Sequence, residues 1–250
     1  MKYLGSKLRI AKQIATHINN VAFCEGIENY YEAFCGGCSV VEQVNIKNKT
    51  CNDLNKYLIA LMKKVQDGLW EFKYNDRNVW GDVKDNLGTD KYEDWFTGWV
   101  GYGCSYKCKF LDGFAGKYDN RNYQDEVYRE LVAERESLLG INFINGSYND
   151  INIKPGSIVY CDAPYIGTYG YVVGDFDFKA YYNWLKETAK ENIVFISEYT
   201  MPAGFKEVDN WVIAVQSAPE KRSRRTERLF VVDNGYLVDK YFEDADTYFL

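Results

Sequence analysis

The sequence predicts an α/β protein built on a mostly parallel sheet that one insertion interrupts. Three observations carry this. Near the N-terminus, strand-like runs and helical patterns follow in the order strand, glycine turn, helix, strand, helix, the order of a doubly wound sheet. The alternation stops over 67–122 and then returns. The length of 250 residues, with 46% hydrophobic and 26% charged, suits one α/β domain with an insertion and a sizeable core.

The elements follow in turn. Ile10, Ile14 and Ile18 recur every fourth residue, with Ala11 and Ala15 beside them, which predicts a helix for which Ser6 is the expected N-cap. The run 29–34, aromatic and strand-like, leads into Cys35-Gly36-Gly37-Cys38-Ser39. A short helical stretch is expected next, then a strand over 49–53 and a helix over 54–65. In 67–122, Gly, Trp, Tyr, Asp and Lys alternate without a period, so this stretch reads as an insertion between 1–66 and 123–250. A charged helix is expected over 124–139, strands over 141–144 and 157–161, a helix over 179–190 and a strand over 193–196. Two late strands, around 211–213 and 229–231, complete the sheet.

Composition narrows the chemistry. The single histidine, His17, lies inside the first helix with an expected surface or capping role, so a Ser-His-Asp or Cys-His nucleophilic site is excluded. Seven cysteines, an odd number behind no apolar leader, favour free thiols in a reducing cytoplasm. Cys35-x2-Cys38 and Cys104-x3-Cys108 are two half-sites for zinc, and the first already has an explanation as part of a glycine turn, so no metal is expected. No apolar run is long enough to span a bilayer. The net charge of −6 argues against nonspecific coating of nucleic acid. Local basic clusters remain, at Lys107, Lys109 and Lys117 and at Lys221-Arg222-Ser223-Arg224-Arg225, though each run taken singly reads first as a solvated charged face. Aromatics are frequent at 17%, with 22 tyrosines, which suits partly wet interfaces or base-stacking surfaces.

Two constellations point to a site. Glycines at the end of the first strand let the backbone approach a ligand, and Asp53 ends the next strand where such folds hydrogen-bond a ribose. Together they suggest an adenosine-containing cofactor. Further on, the apolar run 157–161 ends in Asp162-Ala163-Pro164-Tyr165. The carboxylate and a backbone carbonyl of the turn can each accept a hydrogen from an amino group, while the Tyr165 ring offers a surface for a planar base. Two neighbouring segments, Phe176-Asp177-Phe178 and Ser197-Glu198-Tyr199, fit either a pocket wall or ordinary structural roles, Asp177 as an N-cap among them.

Tyr3-Leu4-Gly5-Ser6-Lys7, the Phe34-Cys35-Gly36-Gly37 turn, Asp53 and the late Asp162-Ala163-Pro164-Tyr165 occur in this order. In that arrangement the chain resembles the DNA adenine methylases, in particular their phage- and prophage-encoded branch. The resemblance covers most of the chain and is weakest across 67–122. It implies a Rossmann-like S-adenosylmethionine-dependent methyltransferase sheet with an inserted target-recognition region, acting on double-stranded DNA. It also implies roles. Tyr3, Gly5 and Lys7 would contact the cofactor from the N-terminal segment, and Phe34, Gly36 and Gly37 would cradle its amino-acid part. Asp53 would bind the ribose, and Asp162 would lie where methyl donor and target amine meet. Tyr165 would stack on a flipped adenine. Tyr106, Lys107, Lys109, Arg222, Arg224 and Arg225 are the residues expected to grip DNA. The chain departs from the family at Ala163, where proline is usual; a backbone carbonyl is still supplied there. A monomer in the cytoplasm of a bacterium or phage-infected host is the expected setting. Another amine substrate (cytosine N4, RNA or a protein amide) and a DNA-binding relative without turnover are the alternatives.

Overall fold

The computed structural model describes residues 6–68, 70–165, 176–218, 221–233, 235, 236 and 238–242. A seven-stranded sheet runs in the order β5-β2-β1-β6-β7-β9-β8. Its strands are β1 (Asn29–Glu32), β2 (Asn48–Asp53), β5 (Asn142–Asn145), β6 (Ile158–Cys161), β7 (Ile193–Glu198), β8 (Phe205–Ala218) and β9 (Lys221–Val232). The pairs β2–β5, β1–β6 and β6–β7 are parallel, and β9 is antiparallel to both β7 and β8. This is the mostly parallel, Rossmann-like sheet expected. The strand order reverses between β1 and β6, and open α/β sheets bind ligands outside the carboxyl ends of the strands at such a reversal.

Among the described residues, contacts divide the chain into two units. One takes 9–34, 43–49 and 149–242. Its helix α1 (Ala11–Glu25) buries Ile14, Ile18 and Val21 at the expected spacing and stops at Gly26, whose φ of 66° and N–H bond to the Ala22 carbonyl make a left-handed cap. The helix starts later than expected: no side chain caps it, and the Ser6 hydroxyl instead accepts the Leu8 N–H. Every residue of β6 and β7 is buried, as in central parallel strands covered on both faces. Helix α6 (Phe178–Thr188) is capped by Asp177, whose carboxylate accepts the Ala180 N–H at 2.9 Å. The late strands far exceed expectation, because alternating charged residues hid the period and the sequence showed only their apolar centres. His17 bridges to Asp209 of β8 at 2.8 Å, with its side chain 14% exposed, rather than sitting on the surface or at a cap.

The other unit takes 6–8, 35–42 and 50–148. Helix α2 (Lys56–Asp67) is capped by Asn55, whose side chain accepts the Tyr57 and Leu58 N–H groups. The stretch without a sequence period contains short elements rather than a loop: α3 (Arg77–Asp85), α4 (Asp94–Gly98), a π-helical turn (Trp99–Gly103) and a hairpin of β3 (Lys117–Tyr118) with β4 (Arg121–Asn122). Helices of five to nine residues are too short to establish a 3.6 period. Trp99 is fully buried, packed edge-on against Trp70 and Tyr128. The charged helix appears as α5 (Tyr123–Leu138). No helix among the described residues is long and apolar enough to cross a membrane.

Candidate active site

In the second unit, the glycine turn is built by one carboxylate. The Cys35 N–H bonds the Asn52 carbonyl at 2.8 Å, which continues the strand ladder into the turn. Gly36 then takes a φ of 45°, a left-handed conformation that glycine adopts without strain. Its N–H donates to Oδ2 of Asp53 at 3.1 Å, while Oδ1 of Asp53 accepts the Asn55 N–H at 2.9 Å. The structure thus brings Gly36 and Asp53 together, as the sequence suggested. It also gives Asp53 a task not foreseen, clamping the turn to the start of α2. Burial pushes the Asp53 carboxyl up to about 6 despite these two donors. Lys7 is buried in the same unit, whereas Tyr3 and Gly5 lie outside the described residues.

Behind the turn, Cys35, Cys38 and Cys51 are all buried, with sulfurs within 4.8 Å of one another. Hydrogen bonds first from Cys35 and then from Cys51 hold the Cys38 thiol well below its usual range. The sequence motif found the first two thiols; the third comes from β2, where a lone cysteine gives no signal. Glu42 is pushed up to about 7 by burial, with the Glu134 charge second.

In the first unit, β6 delivers Asp162-Ala163-Pro164-Tyr165 at its carboxyl end. Asp162 is half-buried, and Ala163 and Tyr165 are buried. The Tyr165 hydroxyl donates to Oε2 of Glu227 on β9 at 2.6 Å, and its ring meets Tyr199 edge-to-face at 4.5 Å. Burial first, then the charges of Asp162 and Glu227, push that hydroxyl well above its usual range, so it stays a proton donor. Glu32, which ends β1, accepts from Tyr30 at 3.0 Å, and Ser197 pairs with the Tyr160 hydroxyl at 2.7 Å. Glu198 is buried and accepts the Tyr199 N–H. Phe34 stands edge-on to Tyr181 at 5.7 Å and to Phe176 at 6.1 Å, an aromatic wall beside the same strand ends. The sequence marked Phe34, Asp162, Ala163, Pro164 and Tyr165, but missed Glu32 and Glu227. Glu32 ends the buried strand β1, a signal that was legible, whereas Glu227 lies midway along β9, where nothing local marks it.

The residues expected on DNA fall in both units. Tyr106 is 58% exposed with the Lys107 ammonium 5.5 Å from its ring centre, and Lys107 itself is left-handed at φ 56°. Lys109 pairs with Asp112 at 3.3 Å. Arg222, Arg224 and Arg225 lie on β9 opposite Gln216, Ala214 and Ile213 of β8. Arg224 and Arg225 are exposed; the side chain of Arg222 lies outside what is described. Arg225 donates to the Tyr199 hydroxyl at 3.0 Å and stacks over that ring.

Residues 3–92 match the family model of the D12 class N6 adenine-specific DNA methyltransferases, the family that the motifs resemble. No curated protein sequence matches the chain. Among solved structures, a candidate methylase from Haemophilus influenzae is 12% identical with a TM-score of 0.34, covering 89% of this chain and 88% of its own. A candidate RNA methyltransferase from Pyrococcus horikoshii is 11% identical at 0.38, covering 88% and 82%. A candidate methyltransferase complexed with SAH is 12% identical at 0.37; it covers 92% of this chain, which spans 54% of that protein. At such scores the fold rests on the strand order itself.

Proposed function

We propose that this protein is a methyltransferase that transfers a methyl group from S-adenosylmethionine to the N6 amine of an adenine flipped out of double-stranded DNA. The observation that carries the reading is Asp162-Ala163-Pro164-Tyr165 at the carboxyl end of β6, beside the reversal of strand order. The matched family model supports the substrate.

The cofactor is assigned to the glycine turn. Gly36 and Gly37 leave the backbone open to the methionyl part, and Asp53 accepts from the ribose hydroxyls. Lys7, with Tyr3 and Gly5, contacts it from the N-terminal segment, and Phe34 flanks it. The amine is assigned to Asp162 and the Ala163 carbonyl. Accepting both N–H hydrogens favours a pyramidal nitrogen, whose lone pair forms the new N–C bond. The cofactor would supply the methyl group from its sulfonium and leave as a neutral thioether, while Asp162 takes the proton lost from nitrogen and passes it to water. Prearranged acceptors stabilise the charge that develops, so neither histidine nor covalent intermediate is needed. Extruding the base costs a few kcal/mol, which stacking on Tyr165 offsets. Arg222, Arg224 and Arg225 on the β8–β9 ribbon contact phosphates, and Tyr106, Lys107 and Lys109 in the insertion carry recognition.

Labelled cofactor incubated with duplexes of varied sequence, followed by identification of the methylated base, tests the reading. Label on cytosine, on RNA or on protein would replace the substrate. Ala163, where the family usually has proline, is the one motif residue that invites the alternative of a relative without turnover, and detectable transfer discards it.

A further inference from the structure

Glu227 is 5% exposed, and its carboxylate accepts the hydroxyl of Tyr165 at 2.6 Å. A buried carboxylate is costly unless hydrogen-bonded, and a phenol donating to it forms a short, charge-assisted bond with a narrow range of angles. That bond anchors the oxygen end of the side chain, and because the phenolic hydrogen prefers the ring plane, a fixed acceptor also favours one orientation of the ring. The ring is held from a second side by Tyr199, at 4.5 Å and 83°, which Arg225 fixes in turn through its hydroxyl and ring face. The last register pair of the β7–β9 ladder is Glu198 with Arg228, so Glu227 and Tyr199 face each other one step beyond it. Two neighbouring strands therefore present a clamp to the residue that follows β6.

We infer that Glu227 is a positioning residue for methyl transfer, acting through the Tyr165 hydroxyl to set the plane on which the target base stacks. The inference rests on the adenine-methylating function proposed above. Its chemistry is restraint of the ring: Glu227 touches neither the methyl group nor the amine. A ring free to turn would still bind a base, but would present the amine to the methyl donor for a smaller fraction of the time. The loss should therefore fall on kcat rather than on cofactor affinity.

A double-mutant cycle tests this. Tyr165→Phe removes the hydroxyl, Glu227→Leu removes the acceptor at similar volume, and Glu227→Gln keeps a neutral acceptor at the same reach. Each of the first two changes should lower kcat about tenfold, the double variant should be no slower than Tyr165→Phe alone, and Glu227→Gln should keep most of the rate. Affinity for S-adenosylhomocysteine and the thermal midpoint of Glu227→Gln should match the starting protein. Rate losses that multiply in the double variant, or a Glu227→Gln protein as slow as Glu227→Leu, would overturn the inference. So would affinity and midpoint falling in step with kcat, since that marks a purely structural contact. Starting protein that methylates no adenine defeats the function proposed above and takes this inference with it. Active starting protein with an additive cycle defeats this inference alone.

Discussion

The starting protein should show a pH dependence of cofactor binding that Asp53→Asn abolishes. Both carboxylate oxygens of Asp53 already accept backbone N–H groups, from Gly36 and Asn55, yet burial still raises the carboxyl to about 6. The folded chain therefore binds this proton more tightly than the unfolded chain, in which the group titrates near 4. The sign follows: the protonated form stabilises the fold fully below about pH 4, and that contribution is lost as pH rises through about 6. A shift of roughly two units corresponds to about 3 kcal/mol. Ribose hydroxyls donating to the carboxylate favour its ionised form, so bound cofactor should return the group towards its ordinary range. Calorimetry should then find affinity about tenfold higher near pH 7 than near pH 5. In Asp53→Asn, one amide oxygen replaces two acceptors and the amide nitrogen opposes an N–H, so affinity should be lower and flat across this range. Glu42, raised to about 7, titrates in the same window, but it is common to both proteins and cancels in the comparison. Identical pH profiles for the two proteins would refute the assignment of the ribose to Asp53.

Further outcomes follow from the same geometry. Asp162→Ala should abolish transfer, read by label incorporation, with cooperative thermal unfolding retained. Ala163→Pro should keep or raise the rate, because the carbonyl stays and the turn stiffens; a collapse in activity would mean that the turn has another geometry. Replacing Arg222 and Arg224 with alanine should weaken cognate and scrambled duplexes equally and lower the salt slope by about one per charge. Substitution at Lys107 should instead cost roughly 1–3 kcal/mol on the cognate site alone. Gly98→Ala should destabilise the fold by about 1–3 kcal/mol in urea unfolding, because the added carbon would lie 2.2 Å from the Tyr57 carbonyl oxygen of α2.

Periodic and apolar elements were legible in the sequence. The isoleucine repeat gave α1, and the unbroken apolar runs gave β6 and β7, because burial on one face or both imposes a pattern that composition exposes. The Gly36–Asp53 pairing was legible because a turn and an acid at consecutive strand ends are fixed by backbone topology. What escaped depended on partners distant in the chain. Glu227 meets Tyr165 across 62 positions, and Cys51 joins Cys35 and Cys38 from a different strand. The full length of β8 and β9 was hidden too, because the polar and charged stretches 206–210 and 221–228 show no strand period in the sequence. His17 looked like a surface residue because its partner, Asp209, lies 192 positions away.

The central claim is methyl transfer to the exocyclic amine of adenine. Purified protein incubated with S-adenosylmethionine labelled on the methyl group and with duplex DNA, then digested to nucleosides and resolved by mass, should yield label in N6-methyl-2′-deoxyadenosine, absent with Asp162→Ala. Label in any other base, or none from the starting protein on a broad set of duplexes, would contradict it.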